Sequence, residues 1–379
     1  PASRGVAAEW PPTRPPVGHR YQCQAQVLRS VSRWSAGTFQ ESSIHSAYCS
    51  LIESAKEFVY IENQFFASDS STSSSKRGSA RCNRVASALA RRVRRAIEYD
   101  EKFRVVVIMP LLPGFDGNIR KGESSSLLTV MHHQYETICR GESGDSFVEQ
   151  IELALRMKNQ HNRARAAVGT KRTYVEKTVE DYVQFLGLRS WGILPACSAP
   201  GGCSDEERVL TTESVYVHSK TMIVDDRATI IGSANVNDRS LLGLRDSEVC
   251  LCIESTTFAK DMREASMANF FGVTATSDKD KMMCKEMHQP QRERCIDFTD
   301  WLDDSVWAAM RSITAHNTSV FRDVFMCIPC DTITSWESLE QARLEVKHEQ
   351  ACADEEMYNC QAALLSRSTT SPPSHPSSP

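Results

Sequence analysis

A short run of residues could cleave phosphodiesters. His218, Lys220 and Asp225 form the pattern H-x-K-x4-D, and Gly232-Ser233-Ala-Asn235 follows soon after. An imidazole can attack phosphorus when it is neutral, or donate a proton to a leaving oxygen when it is protonated. The lysine supplies a compact positive charge for phosphate oxygens, Ser233 and Asn235 can donate hydrogen bonds to the same phosphate, and the glycine allows close backbone approach. The spacing therefore predicts half of a phosphodiester-cleaving site.

Two acidic residues are predicted to support this site. Asp225 follows Thr221-Met-Ile-Val224 in an Asp-Asp-Arg turn, so it is expected to stabilise the site rather than to touch substrate. Glu248 could accept a proton from the far ring nitrogen of His218 and so fix the tautomer of that ring. The chain carries a single H-x-K pattern, because every other histidine lacks it: His19, His45, His132, His133, His161, His288, His316, His348 and His375. One imidazole cannot stand on both sides of phosphorus in an in-line step, so the pattern needs a partner histidine.

The elements that would position these residues alternate between strands and helices, which predicts an α/β fold. Period-two and buried apolar runs predict strands at 58–61, 104–109, 215–217, 221–224, 228–231 and 246–253, and helical periodicity predicts helices at 42–56, 82–98, 124–139 and 146–158. On this reading His218 and Lys220 lie at a strand end and point to the same face. Val85, Leu89, Val93, Ala96 and Ile97 would form the apolar stripe of the helix at 82–98.

The composition sets the broad class and the segments of the chain. The chain is 41% hydrophobic, which allows a sizeable core, and its net charge of −4 predicts no general affinity for polyanions. Fourteen scattered cysteines favour a reduced, cytoplasmic protein over a disulfide framework, and the pair at 327 and 330 has no second pair with zinc spacing, so no metal site is predicted. No apolar run approaches the roughly 18 residues of a membrane span. We expect a linker at 1–20, an α/β lobe with the motif at 21–299, a helical extension at 300–350 and a largely disordered tail at 351–379.

The motifs resemble the phospholipase D superfamily, and specifically the eukaryotic enzymes that hydrolyse phosphatidylcholine. The segment 215–225 is similar to the second HKD motif of that family, and 27–37 looks like the stretch that follows its first. The match continues through Tyr60-Ile-Glu-Asn-Gln-Phe-Phe66, Pro110-Leu-Leu-Pro-Gly-Phe115, Ile231–Ser240 and Arg245–Glu248. The resemblance covers residues from about 21 to about 345. It implies a phospholipase D-like lobe with a mixed central β-sheet flanked by helices.

The resemblance also implies a mechanism and a partner. Family members place two HKD motifs, one from each lobe, at a shared cleft and need no metal or other cofactor. One histidine forms a phosphohistidine, and the other protonates the leaving alcohol and then activates water. His218 would be this general acid and base, with Lys220, Ser233 and Asn235 on the phosphate and Glu62, Asn63 and Gln64 lining the cleft. The missing half would be an N-terminal HKD lobe or a second copy of this chain, and we expect the lobe, as part of a longer protein.

The implied reaction is hydrolysis of phosphatidylcholine to phosphatidic acid and choline by a protein peripheral on membranes. Two alternatives stay open: another HKD phosphodiesterase, such as a nuclease acting as a homodimer, and a non-catalytic lipid-binding fragment. The long match outside the HKD motif favours the phospholipase.

A basic segment between Lys76 and Arg104 contains ten basic and three acidic residues. Arg84, Arg91, Arg94 and Arg95 would lie largely opposite the apolar stripe of the predicted helix. They form either a solvated helix face or a contact with anionic lipid, where each cation adds on the order of 1 kcal/mol. A basic segment near this position is linked to phosphoinositide binding in the eukaryotic family. Nucleic acid is not expected as a partner, because no aromatic residues interleave with the arginines.

Overall fold

A computed structural model describes residues 21–70, 82–115, 125–139, 145–167, 175–195, 208–271 and 300–324, with positions 338, 341 and 344. The segments predicted as a linker at 1–20 and as a tail at 351–379 lie outside these residues, as does the cysteine pair at 327 and 330.

Strands and helices alternate through the first half of the described chain, as predicted, whereas five strands follow one another in the second half. The first half contains β1 (Gln24–Val31), α1 (Arg33–Ala36), β2 (Glu41–Ser42), α2 (Ser43–Ser54), β3 (Phe58–Glu62), α3 (Val85–Tyr99), β4 (Arg104–Ile108), α4 (Ser125–Ile138) and α5 (Phe147–Ala167). After a 3-10 turn at Val179–Asp181 come β5 (Val183–Leu186), β6 (Leu188–Pro195), β7 (Arg208–Val215), β8 (Thr221–Val224), β9 (Ala228–Gly232), α6 (Asp238–Leu241), β10 (Glu248–Glu254), α7 (Thr256–Phe270) and α8 (Asp304–Val324).

Eight of these strands form one mixed sheet, which confirms the predicted fold class. Their spatial order is β2-β1-β10-β9-β8-β3-β4-β5. The β3–β4 and β4–β5 pairs are parallel, and the remaining pairs are antiparallel. A separate antiparallel hairpin is formed by β6 and β7. Because β3 sits between the antiparallel β8 and the parallel β4, its carboxyl end adjoins the amino end of β8.

Helices cover both faces of this sheet. On one face the apolar stripe of α3 is buried between the sheet, α2 and α5. Its five residues are all at most 2% exposed, as the helical periodicity predicted: Val85, Leu89, Val93, Ala96 and Ile97. On the other face Trp301, Trp307 and Met310 pack with Phe58, Tyr60 and Ile223. Burying each such large apolar side chain contributes about 1.5–3 kcal/mol. Trp301 and α8 are therefore part of the core on the second face.

The predicted strand at 215–217 is wrong in its extent, because β7 ends at Val215 and residues 216–220 have no strand partner. The carbonyl oxygen of His218 accepts a hydrogen bond from the side chain of Lys220 instead of from a neighbouring strand. The segment that carries the motif is consequently a connection between β7 and β8, held by side chains. Among the described helices, none combines the length and hydropathy that a bilayer-spanning segment requires.

Candidate active site

The frame of the site is the antiparallel hairpin of β8 and β9, in which Thr221 pairs with Ile231 and Val224 with Ala228. Its turn contains Asp225 and Asp226 in the left-handed region, with φ of 54° and 47°. Two central residues with positive φ define the tight turn that matches the twist of a hairpin. The amide of Arg227 closes it on the carbonyl oxygen of Val224 at 2.9 Å.

Asp225 ties this turn to β3. Its carboxylate accepts the backbone N–H groups of Lys56 at 2.8 Å and of Glu57 and Phe58 at 2.9 Å. Four strand residues, at about 3.3 Å each, separate Asp225 from Lys220. Asp225 therefore lies at the opposite end of β8 from Lys220, where its carboxylate accepts backbone amides, and its place in the catalytic set stays a prediction.

His218 and Lys220 lie at the amino end of β8. His218 is exposed, whereas Lys220 is only 8% exposed. The Lys220 ammonium donates to the carbonyl oxygen of His218 at 2.7 Å and to Gln64 Oε1 at 3.1 Å. Burial lowers the pKa of Lys220, and the charge of Glu248 partly opposes this shift. The ring of His218 lies 6.1 Å from that of Tyr216 between centroids.

The Gly232–Asn235 segment meets the motif through backbone contact. The amide of Gly232 donates to the carbonyl oxygen of Lys220 at 3.2 Å. A Cβ at position 232 would lie 2.4 Å from the carbonyl oxygen of Val249 and 2.5 Å from Cys250 Sγ, so this approach requires glycine. Ser233 is exposed, and Asn235 Oδ1 is buried without a hydrogen-bond partner in the part of the chain that the structure describes. Lys220, just before β8, and Ser233, just after β9, thus lie at the same end of the sheet.

Glu248 does not make the predicted contact with His218. Its carboxylate accepts hydrogen bonds from the hydroxyls of Ser233 and Ser240, the latter at 2.7 Å, and no hydrogen bond between Glu248 and His218 occurs among the described residues. The reason is register: Cys250 pairs with Gly232, so Ser233 lies opposite Val249, the residue next to Glu248. Glu248 orients the serine side of the site rather than the imidazole.

The strand-end residues Glu62, Asn63 and Gln64 contact both segments of the site. Glu62 accepts the hydroxyls of Tyr60 and Ser219, each at 2.6 Å. Gln64 bonds to Lys220 and to the hydroxyl of Tyr216. Sequence reasoning expected these three residues to line the cleft and did not anticipate Ser219 and Tyr216 as their partners; the available signal was the polar run directly after a buried strand.

The basic residues of α3 differ from one another in their surroundings. Arg84, which directly precedes the helix, and Arg94 are exposed. Arg91 forms an ion pair with Glu53, and Arg95, which is also exposed, donates to the carbonyl oxygen of Ala55 at 3.3 Å. Arg92, which was not singled out from the sequence, is buried and donates to the carbonyl oxygens of Ala55 at 2.6 Å and Lys56 at 2.9 Å. Half of the predicted basic face is thus engaged with the end of α2.

No group of three or more His, Cys, Asp or Glu side chains is arranged to hold a metal ion within the described ranges.

The chain is similar to known proteins over most of its length. A family model described as phospholipase D matches residues 23–321. Phospholipase D zeta 1 of Arabidopsis thaliana is 42% identical over 329 residues, which are 86% of this chain and 26% of that protein. Phospholipase D of Phytophthora infestans is 39% identical over 84% of this chain and 15% of its own length, and phospholipase D1 of Rattus norvegicus is 34% identical over 82% and 25%. The chain thus spans about a quarter or less of these relatives.

Among solved structures, NucT from Helicobacter pylori aligns with 66% of this chain and 97% of its own, at 12% identity and a TM-score of 0.32.

Proposed function

The chain belongs to the phospholipase D family, and we propose that it hydrolyses the distal phosphodiester of glycerophospholipids, converting phosphatidylcholine to phosphatidic acid and choline. In this proposal the chain supplies one half of the site. The observation that carries it is the backbone contact between Lys220 and Gly232, which brings a lysine, an exposed histidine and a serine to one sheet end.

The proposed reaction has two displacements at phosphorus. A histidine outside this chain attacks phosphorus and forms a P–N bond, while the choline oxygen leaves and takes a proton from the His218 imidazolium. His218, now neutral, then accepts a proton from water as the water oxygen attacks phosphorus and breaks the P–N bond. Lys220 and Ser233 would hold the non-bridging oxygens throughout, with Asn235 beside them, and no step needs a metal ion.

An exposed apolar face next to the site supports a second half. Val27 of β1 and Val249 and Leu251 of β10 point to one face of the sheet and are 61%, 53% and 39% exposed. The carbonyl oxygen of Val249 accepts the amide of Ser233 at 3.1 Å, so this face begins at the site. Contiguous exposed apolar surface marks an interaction site. We propose an N-terminal HKD lobe as its partner, because the matched residues make up only 26%, 15% and 25% of the three relatives, which leaves most of each relative outside the match.

We also propose that the protein acts at the cytoplasmic surface of membranes and binds phosphoinositide through α3. Arg84 and Arg94 are exposed. In this proposal Arg91 and Arg95 of α3 add positive charge beside them. The Arg84→Glu/Arg94→Glu variant should bind phosphatidylcholine vesicles containing phosphoinositide more weakly in a sedimentation assay. The charge-matched variant Lys260→Glu/Arg311→Glu should bind like the unsubstituted chain. Equal loss in both variants would show non-specific charge attraction.

The test of the phospholipase proposal is a chimera in which this chain replaces the matching quarter of phospholipase D zeta 1. Choline release from phosphatidylcholine vesicles is expected from the chimera and is expected to disappear in His218→Ala. His316→Ala, which alters another exposed histidine on α8, is the matched control. An inactive chimera beside an active unaltered relative would contradict the proposal.

Two other outcomes identify the alternatives. Cleavage of single-stranded DNA by the chain alone, with a rate that rises as the square of its concentration, would indicate a homodimeric nuclease. If the chain and the chimera hydrolyse neither substrate and His218→Ala changes nothing, the chain is a non-catalytic lipid-binding fragment.

A further inference from the structure

The tripeptide Glu62-Asn63-Gln64 lies where β3 leaves the centre of the sheet, and it contacts both segments of the site. β3 pairs with β8 on one side, with Glu62 opposite Thr221. The side chains of residues 62 and 64 bond to the 216–220 segment, whereas the side chain of residue 63 bonds to the 234–236 segment. Each of the three has at least one hydrogen-bond partner in a segment that carries site residues.

Glu62 holds the first segment between the two residues of the H-x-K pair. One carboxylate oxygen accepts the hydroxyl of Ser219, and the other accepts the hydroxyl of Tyr60, which is fully buried. Burial and the neighbouring carboxylate raise the pKa of Tyr60 well above its ordinary value, so the phenol remains a donor. Because Ser219 stands between His218 and Lys220, this one contact limits the movement of both.

Gln64 adds two more contacts to the same segment. Its amide oxygen accepts from Lys220 at 3.1 Å, and its amide nitrogen donates to the hydroxyl of Tyr216. The side chain therefore spans the segment from one end to the other, with His218 between its two contacts.

Asn63 holds the second segment from the opposite side. It is fully buried, and its Oδ1 accepts the amides of Val236 at 3.1 Å and Phe65 at 3.2 Å. Its Nδ2 lies 3.5 Å from the carbonyl oxygen of Ala234. Ala234 and Val236 are the residues directly before and after Asn235 in the chain. Buried polar groups are costly unless they are hydrogen-bonded, and here all the bonds except that to Phe65 reach the site segment.

We infer that Glu62, Asn63 and Gln64 are positioning residues that fix the His218–Lys220 segment relative to the Ser233–Asn235 segment. The tripeptide, called here the site clamp, acts through Ser219, Lys220 and the 234–236 backbone and does not touch substrate. The inference rests on the proposed function, because that function requires His218 and the phosphate-binding groups to keep one mutual geometry.

Glu62 accepts two hydroxyls, and removing each of them in turn distinguishes a positioning role from a purely structural one. Tyr60→Phe removes one donor to Glu62 in the core, and Ser219→Ala removes the other at the site. A structural role predicts that phosphate affinity falls with thermal stability in both variants. The site clamp predicts that Tyr60→Phe lowers the melting temperature more, whereas Ser219→Ala disturbs the site more.

The experiment uses the full chain with Ser219→Ala, Tyr60→Phe, Glu62→Gln and Glu62→Ala. It measures hydrogen exchange of residues 216–220, the His218 imidazole resonance, assigned with His218→Ala, and the dissociation constant of inorganic phosphate. In Ser219→Ala and Glu62→Ala exchange should rise, the resonance should shift and phosphate should bind about tenfold more weakly, since small displacements of positioned groups cost one to two orders of magnitude. In Tyr60→Phe phosphate affinity should stay within about twofold.

Glu62→Gln is the rescue variant, because an amide can accept one hydroxyl and donate to the other. It should resemble the unsubstituted chain in all three measurements. If it is as damaging as Glu62→Ala, the negative charge matters rather than the contact, and the inference fails. Unchanged exchange and an unchanged His218 resonance in Ser219→Ala would also overturn it. If the unsubstituted chain does not bind phosphate, the proposed function loses support, while exchange and the resonance still decide on the site clamp.

Discussion

Replacing Asp225 with alanine should lower the free energy of unfolding, and it should have no direct effect on substrate binding. The carboxylate accepts three backbone N–H groups at the start of β3, and the residue adopts a φ of 54°. Both features belong to the folded scaffold at the far end of β8 from Lys220. The residue completes the H-x-K-x4-D pattern, so its effect on stability separates a structural from a chemical reading of that pattern.

The expected magnitude follows from these contacts. A hydrogen bond to a charged acceptor is worth about 1.5–3 kcal/mol, but Lys56 and Glu57 are exposed, so their amides regain water in the variant. We therefore expect a loss of about 2–3 kcal/mol from the three bonds together, and roughly 1 kcal/mol more because alanine is disfavoured in the left-handed region. Asp225→Asn keeps an acceptor oxygen and tolerates this φ, so it should lose about 1–2 kcal/mol.

The assay is urea unfolding followed by the fluorescence of the tryptophans in the core. Asp246→Ala is the matched control, since Asp246 forms an exposed ion pair with Arg239 at 2.6 Å and such pairs contribute about 0–1 kcal/mol. A free energy of unfolding for Asp225→Ala within about 0.5 kcal/mol of the unsubstituted chain would refute the reasoning.

Three further predictions concern the scaffold. Gly232→Ala should lower the free energy of unfolding in urea by about 2–3 kcal/mol, because its Cβ would overlap the β10 backbone. Gly37→Ala, with φ of 67° and open space around it, should lower it by only about 1 kcal/mol. Equal losses in the two variants would contradict the overlap. Arg263→Met should lose about 3 kcal/mol, because it leaves Asp226 without its buried ion-pair partner; thermal denaturation measures this, and a stability equal to that of the unsubstituted chain would contradict it. Burial lowers the pKa of His45, whose Nε2 accepts the amide of Arg84, so its contribution is fully present above the unfolded pKa of about 6.5 and is lost as pH falls through the folded value. His45→Gln, which keeps an acceptor, should flatten the decline of unfolding free energy between about pH 7 and 5, and an unchanged slope would exclude this histidine.

The sequence predicted the elements whose signal is local. β4 is an apolar run after Arg104, α3 carries a 3.6-residue stripe, and the Asp-Asp-Arg turn follows three apolar residues, so each could be recognised without knowledge of its neighbours. All three occur in the structure. The position of Lys220 and Ser233 at the same end of the sheet could also be predicted, because the second strand of a hairpin ends beside the start of the first.

The choice among hydrogen-bond partners could not be predicted, because it depends on register between distant strands. Glu248 was expected to reach His218, yet β9 pairing places Ser233 beside it. Val215 to Val217 alternate as a strand would, but the polar end of β3, more than 150 residues earlier in the chain, holds the next residues by their side chains. Arg92 resembles its neighbours in sequence and is buried only because the last carbonyl oxygens after α2 face it.

The x4 of the H-x-K-x4-D pattern has a physical meaning in this fold. Its four residues are β8 itself, from Thr221 to Val224, so the pattern measures the length of one strand between a chemical end and a structural end. Asp225 pins the turn end to β3 by three backbone amides, and the site clamp holds the other end through Ser219 and Lys220. Since a change of one residue moves every following side chain to the other face of a sheet, a strand of another length could not satisfy both ends. The fixed spacing is therefore a requirement of the scaffold.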